Sequence, residues 1–562
     1  MNYLVNLMPD KISIFSYIFF YFFLFYATIG YGWLFSKFLN KNSCTNLGYL
    51  GIYGLFFLAL YSYISHHFIP HSEFHNLIFI SIGFFSYVYF FINSYKKIAK
   101  SHFLLFVITC FFFISSLLIK NHDDFAYYHF AYTYFLTQQN SLFGIGIFNH
   151  GFRTPSSIFY IGSLFYLPVL KYYAFHFVAV FVLIIANYIF IKKIINSYKE
   201  KSFNFIFYLC LLCFSFINVV FYRIAEHGSD RSAQIFVLIL VVELLTITNI
   251  KNYYIKNYSK IFILIGFIIT LKAFYILYSI FIIFLLFFLL KKISYKELFY
   301  KNWNLYWCCA LIFFSLFAAF QNSGCFLYPV EYSCFGNFDW AIKKQEILLM
   351  SNWYELWSKG GASPIFRDLN PEIYVQNFNW VSNWTKTYFF TKVSDTILGI
   401  FSICLIFFLI FFGKNKNKKI LRSYKTIILL TVLLLVEWFT KHPSLRYGGF
   451  CIIALLFFIP TSLQLELYYQ NKILKKIIFI FILIAVIFFG RNLNRINKEA
   501  KHYQYNPLTN PTYTVENSFF RIPNIIEKLI LNLDNCKNFN KNCIQDLDPK
   551  IDLFYNKYYF FK

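Results

Sequence analysis

Apolar runs of about bilayer length recur along almost the whole chain, and no other feature constrains the fold as strongly. A helix needs roughly 20 apolar residues to cross a hydrocarbon core. Scanned with a window of about 19 residues, the first half offers Ile12–Phe35, Leu47–Ile64, Leu77–Ile92, Phe103–Ile119, Tyr173–Ile191, Phe205–Tyr222 and Ile235–Ile250. The second half offers Leu305–Phe320, Thr396–Phe412, Thr426–Thr440, Phe450–Leu463 and Ile473–Phe489. Between them lies Ile261–Leu290, too long for one crossing, interrupted by Lys272 and flanked by Lys256, Lys260, Lys291 and Lys292. Two helices turning near Lys272 would bring both lysine-rich ends to one side. The expected fold is therefore an all-α polytopic transmembrane bundle of about 12–14 helices, with extracytoplasmic loops that carry short helices.

Composition supports the same class. Hydrophobic residues make up 59% of the 562 and charged residues 14%, and the mean hydropathy is +0.55, values outside the range of soluble domains. Ile12–Phe35 is too long for a signal-peptide core and no small-residue cleavage site follows it, so it is expected to stay as a helix. Phe, Tyr, Ile, Lys and Asn are abundant together. We read that as a general bias, so the formal charge of +26 does not imply a nucleic-acid partner.

Loop charge sets the orientation, because cytoplasmic loops carry the excess of Lys and Arg. Lys37 and Lys41, Lys96 to Lys100, Lys192 to Lys201, and the run from Lys414 to Lys425 mark the cytoplasmic side. The loop 66–76 has neither Lys nor Arg and marks the outside. Five regions follow: a four-helix membrane segment (1–119), a membrane core with an outward acidic loop (120–320), an extracytoplasmic loop domain (321–395), C-terminal membrane helices (396–489) and an extracytoplasmic tail (490–562). Among 12 cysteines, Cys325 and Cys334 share one outward segment and Cys536 and Cys543 the other, so two local disulfides are expected. Cys210 and Cys213 have CxxC spacing but sit among Leu and Phe, as small core residues do.

Arginine is distributed unusually. Of nine, only Arg422 falls in a cytoplasmic loop; Arg153, Arg223, Arg231, Arg367, Arg446, Arg491, Arg495 and Arg521 fall outside. A guanidinium grips phosphate or carboxylate through paired hydrogen bonds, which lysine cannot do. An outward arginine set therefore suits a phosphate-bearing ligand, and pairing with Glu226, Asp230 or Glu437 is the structural alternative.

Three outward segments concentrate the polar groups, each abutting a membrane span: HDDFAYYH with FNHGFRTPSS, RIAEHGSDR (223–231) and KHPSLRYGG (441–449). Ionisable groups at such boundaries are functional candidates by default. Asp123 and Asp124 are candidate catalytic carboxylates, or caps of a helix that starts there. His129, Arg153, Asp230, Arg231, Lys272 and Arg446 are candidate substrate-binding residues.

The acidic pair in the first large outward loop, with the later lysine-interrupted hairpin, resembles the GT-C class of integral membrane glycosyltransferases. HDDFAYYHFAYTYFLTQ and NHGFRTPSSIFYIGSLFYLP also resemble an uncharacterised family of large bacterial inner-membrane proteins placed near that class. Four spans precede the acidic loop where GT-C proteins have one, so the resemblance implies an extension of three helices. It further implies a multi-pass inner-membrane protein and a polyprenyl-phosphate-linked sugar donor. A glycan, lipid or protein acceptor is left open, and so is a divalent metal between the carboxylates. The residues themselves fit that chemistry, since glycosyl transfer needs a base for the acceptor proton and cations for the departing phosphate. A flippase or exporter of lipid-linked glycans, or a glycan polymerase or ligase, would share these features.

Overall fold

The computed structural model describes residues 12–39, 46–117, 124–249, 255–362, 370–415, 424–504, 506, 550–554 and 557–561. Asp123, Arg367, Arg422, Arg521, Cys536 and Cys543 lie outside them, and with them one candidate carboxylate and the second expected disulfide. In a bilayer each backbone N–H and C=O must find its partner within the protein, which leaves helices as the economical solution for apolar runs of this length. Numbering the α-helices of eight residues or more, the chain forms α1 (Ile14–Leu39), α2 (Leu47–Ser65), α3 (Glu73–Phe112), α4 (Phe130–Gln138), α5 (Ser157–Leu164), α6 (Phe177–Lys199), α7 (Phe205–Val220) and α8 (Ile224–Thr248). Then follow α9 (Ile255–Leu271), α10 (Ile280–Leu290), α11 (Trp303–Ser323), α12 (Lys344–Lys359), α13 (Ser394–Phe411), α14 (Lys425–Lys441), α15 (Phe450–Glu466) and α16 (Ile473–Tyr503). An antiparallel hairpin, β1 (Lys550–Phe554) with β2 (Lys557–Phe561), comes last.

Among the described residues, ten helical stretches are long and apolar enough to cross a membrane. Two shorter apolar helices, Phe205–Val220 and Tyr258–Leu271, accompany them. The chain is a multi-pass helical bundle. At its N-terminal end α1 packs against α2 and α3 through glycines: a Cβ on Gly30 would overlap the Gly83 carbonyl, and one on Gly54 the Thr28 carbonyl. Small residues let membrane helices approach this closely where no hydrophobic force draws them together.

The two spans expected at Leu77–Ile92 and Phe103–Ile119 are continuous in α3, which bends at Ile98 (φ −131°, ψ 27°). On a straight helix Tyr87 and His102 would be about 22 Å apart. Here Tyr87 Oη is 3.4 Å from His102 Nδ1 and Ser94 Oγ 3.0 Å from its Nε2, so the chain folds back at the bend. The lysines at 96, 97 and 100 sit on that bend.

Two ion clusters fix the core's geometry. Glu243, near one end of α8, pairs with Lys193 of α6 at 2.6 Å and Lys260 of α9 at 2.7 Å. Asp230, thirteen residues earlier and about 20 Å along the axis, pairs with Lys272, just beyond α9. α8 and α9 are therefore antiparallel. Lys272 is the break expected in the long apolar run: its backbone is extended (φ −161°, ψ 142°), and the 3-10 turn Ala273–Ser279 follows before α10. Two segments differ from those expected. The span placed at Thr396–Phe412 belongs to a helical stretch that begins at Val381. α16 does not stop at Gly490 but runs on to Tyr503.

Candidate functional site

Each of the three polar segments departs from regular α-helix where it reaches the core. Phe125–His129 is a π-helical turn leading into α4. Its wider i→i+5 winding brings Asp124 and His129 to one side, and both line the same cavity. α8 is kinked at Gly228 (φ +44°, ψ −114°), a conformation strained for any residue with a Cβ. The third segment is a second π-helical stretch, Leu445–Gly449, with Gly448 at φ +89°. A Cβ there would also stand 2.8 Å from Tyr278 Oη.

The break before α15 is held from several sides. Trp384 Nε1 donates to Pro443 O and Trp438 Nε1 to Ser444 O, both at 2.8 Å. The Leu445 N–H donates to Tyr388 Oη at 2.9 Å. The Gln234 amide donates to the Leu445 and Arg446 carbonyls at 3.3 Å and accepts from Cys451 N at 3.1 Å. Arg446 is thereby presented from a fixed turn and not from a mobile loop.

What Arg446 does there organises the site. Its Nη2 donates to Asp124 Oδ2 at 2.6 Å and its Nε to Asp230 Oδ2 at 2.9 Å. The other oxygen of Asp230 takes Lys272. Two carboxylates and two cations thus form one chain, Asp124, Arg446, Asp230, Lys272, with no net formal charge. Lys272 lies 5.1 Å over the Tyr447 ring, and the Arg446 guanidinium lies 5.5 Å over Trp357. The cavity beside this chain measures about 610 Å³, and its wall includes Asp124, His129, Glu226, Asp230, Arg231 and Arg446. His129 is buried against Phe159 and Tyr128, and its Nε2 has no hydrogen-bond partner among the described residues. Burial pushes its imidazole down to about 3, against the pull of Asp124 and Asp230. It is neutral at ordinary pH.

Arg153 stands elsewhere. Its guanidinium is buried and occupied by Glu346 (2.5 Å), Tyr328 Oη (2.8 Å) and Gly146 O (2.8 Å). It ties the acidic-loop segment to α12 through Glu346 and to the segment before it through Tyr328, and it is not part of the main cavity's lining. Other arginines that loop charge assigns to the outside are engaged likewise: Arg223 with Glu226 and Glu499, Arg491 with Val219 O, and Arg495 with Leu117 O and Glu499. Cys325 and Cys334 form the expected disulfide. The oxygens of Asp124 and Asp230 are bridged by Arg446, so this donor pair does not fit a divalent metal. Among the described residues no group of three or more His, Cys, Asp or Glu could hold a metal ion.

The sequence pattern of a family described as a domain of unknown function, DUF8201, matches residues 14–453. The chain belongs to the DUF8201 family. No curated protein and no solved structure matches it. The match spans all three polar segments of this DUF8201 chain, the Lys272 break and the first residues of α15, while α16 lies beyond it.

One wall of the DUF8201 cavity was not singled out from sequence. Tyr388, Thr391, Lys392, Asp395 and Thr396 line it, from the π-helical stretch Thr385–Val393 and the first turn of α13. Each of the three π-helical stretches among the described residues contributes to the cavity, in line with the frequent placement of such turns at functional sites. Spacings of three and four residues in an otherwise apolar run were the available signal. Trp357 and Gln234, from helices that read as loop domain and apolar span, carried none.

Proposed function

We propose that this protein is a GT-C-like glycosyltransferase of the inner membrane, moving a sugar from a polyprenyl-phosphate-linked donor to an acceptor at the outer face. The observation that carries the reading is convergence. Asp124, Asp230 with Arg231, and Arg446 come from three segments separated by up to 322 residues and meet at one cavity. That cavity lies at the end of α8 opposite the Glu243 lysine pair, the end that loop charge assigns to the outside.

In this reading the acceptor hydroxyl oxygen attacks the anomeric carbon. As that C–O bond forms, the bond from the carbon to the phosphate oxygen breaks and its electron pair leaves on the phosphate. The acceptor proton passes to the Asp124 carboxylate, a general-base step worth typically about 10² to 10⁴ in rate. Arg446 orients that carboxylate, and Lys272 with Asp230 fixes Arg446. The cavity's cations offset the charge that develops on the phosphate. Trp357 and Tyr388 offer aromatic faces for a sugar ring.

The test is sugar transfer from synthetic polyprenyl-phosphate sugars by the purified chain. Asp124→Asn keeps the shape and removes proton acceptance, and turnover should fall by about two orders of magnitude or more. Near-full turnover in a folded Asp124→Asn protein rules out the base. Movement of intact lipid across a bilayer without transfer would put a flippase in its place, and chain extension a polymerase or ligase.

A further inference from the structure

The cations at the cavity divide into two kinds. Arg446 and Lys272 are committed to Asp124 and Asp230, and Arg223 is committed to Glu226. Arg231 and Lys392 also line the cavity region, yet among the described residues their side chains make no hydrogen bond or ion pair. Each stands against an aromatic ring, Arg231 5.8 Å over Phe221 and Lys392 5.4 Å over Tyr388; Arg231 feels Glu226 and Asp230 only through space, and both carboxylates are paired with other cations. The one wall carboxylate in the same condition is Asp395. Among the described residues, Arg231 and Lys392 are thus wall cations that no carboxylate contacts directly. A guanidinium at a membrane boundary with no carboxylate in direct contact is costly unless a ligand supplies that contact.

The placement of Lys392 indicates where the ligand comes from. The stretch Val381–Phe411 is apolar enough to span the membrane, and only 22% of its most apolar window is buried by protein. Phe390, Leu398 and Phe401 are exposed on it. It is an edge helix, bare toward lipid on most of its circumference. Tyr388, Thr391, Lys392, Asp395 and Thr396 of this stretch line the cavity. The cavity-lining stripe ends at Thr396, beyond which the helix continues as Ile397, Leu398 and Ile400. Polar above and apolar below matches a head group carried on a hydrocarbon tail.

We propose that Arg231 and Lys392 form a phosphate subsite for the head of a membrane-borne lipid phosphate, distinct from the Arg446 chain. The phosphate is held there by charge-assisted hydrogen bonds, while Arg446 and Lys272 stay on the carboxylates they orient. It rests on the glycosyl-transfer reading only for what the phosphate carries.

Binding of farnesyl phosphate to the detergent-solubilised full chain tests it, with farnesol and inorganic phosphate as comparison probes. Arg231→Gln and Lys392→Gln should each weaken farnesyl phosphate about tenfold or more and leave farnesol unchanged. Lys392→Glu, at an exposed position where folding is not at risk, should weaken it further. Unchanged affinity for farnesyl phosphate in Lys392→Glu and in the double glutamine variant overturns the subsite. Farnesol binding as tightly as farnesyl phosphate overturns it too. Inorganic phosphate competing at equal concentration overturns the lipid source and leaves a site for free phosphate. If the wild type binds farnesyl phosphate through these two residues and transfers no sugar, the subsite stands and the glycosyltransferase reading falls.

Discussion

Replacing Gln234 with leucine removes the amide that joins α8 to the broken start of α15. The side chain is fully buried. It donates to the carbonyls of Leu445 and Arg446 at 3.3 Å and accepts from the Cys451 N–H at 3.1 Å. Leucine has similar volume and makes none of these bonds, so two carbonyls and one N–H lose a partner where water hardly reaches. A buried polar group left unsatisfied costs about 1 to 3 kcal/mol, and the two 3.3 Å bonds belong at the weak end, so the loss is roughly 3 to 5 kcal/mol. The turn that loosens carries Arg446, so Asp124 loses its orienting partner as well. Cys451 reports the change directly: its thiol is fully buried and donates to Gly448 O at 3.1 Å. With the other free cysteines replaced by serine, maleimide should label Cys451 many times faster in Gln234→Leu than in the parent, and the thermal midpoint should drop. Gln234→Glu keeps size and the acceptor for Cys451 N–H but turns a carboxylate oxygen toward two carbonyls, and it should behave no better. Unchanged labelling and an unchanged midpoint in Gln234→Leu would show that the indoles of Trp384 and Trp438 suffice to hold the break.

His129 gives a pH prediction with a definite sign. The folded protein holds its imidazole near 3 against an ordinary 6.5, so below 6.5 the unfolded chain binds a proton that the folded chain does not. Stability from this group is complete above 6.5 and is lost as pH falls toward 3, about 2 kcal/mol of it by pH 5. His442, held near 4 by burial, and His150, also lowered by burial, act in the same direction. The contrast to measure is therefore the pH 7 to pH 5 shift in thermal midpoint, which should shrink in His129→Asn. The Cys325–Cys334 disulfide closes a loop with a sequence separation of 9, worth roughly 2 to 3 kcal/mol in the chain-entropy account. Mass spectrometry of unreduced peptides should recover the pair linked, and free thiols at both positions would contradict it.

Hydropathy alone determined that this chain is a helical multi-pass bundle, because an apolar run has one economical way to satisfy its backbone in lipid. Lys272 was legible as a break for the same reason: a lysine in an apolar run must end it or find a partner. Asp124, Asp230, Arg231 and Arg446 were legible as exceptions, polar groups at span boundaries in a chain poor in carboxylates. Their partnerships were not legible. Arg153 and Arg446 sit in equally polar segments at span boundaries, yet one is spent on Glu346 and the other bridges two aspartates. That difference depends on which helices pack together over separations of 193 and 322 residues. Lys392 and Gln234 looked ordinary because a residue's role here follows from the face it turns to its neighbours, and a single chain read in order does not contain its neighbours. Local sequence sets which groups are costly to leave alone; only tertiary packing decides which of them are left without a protein partner.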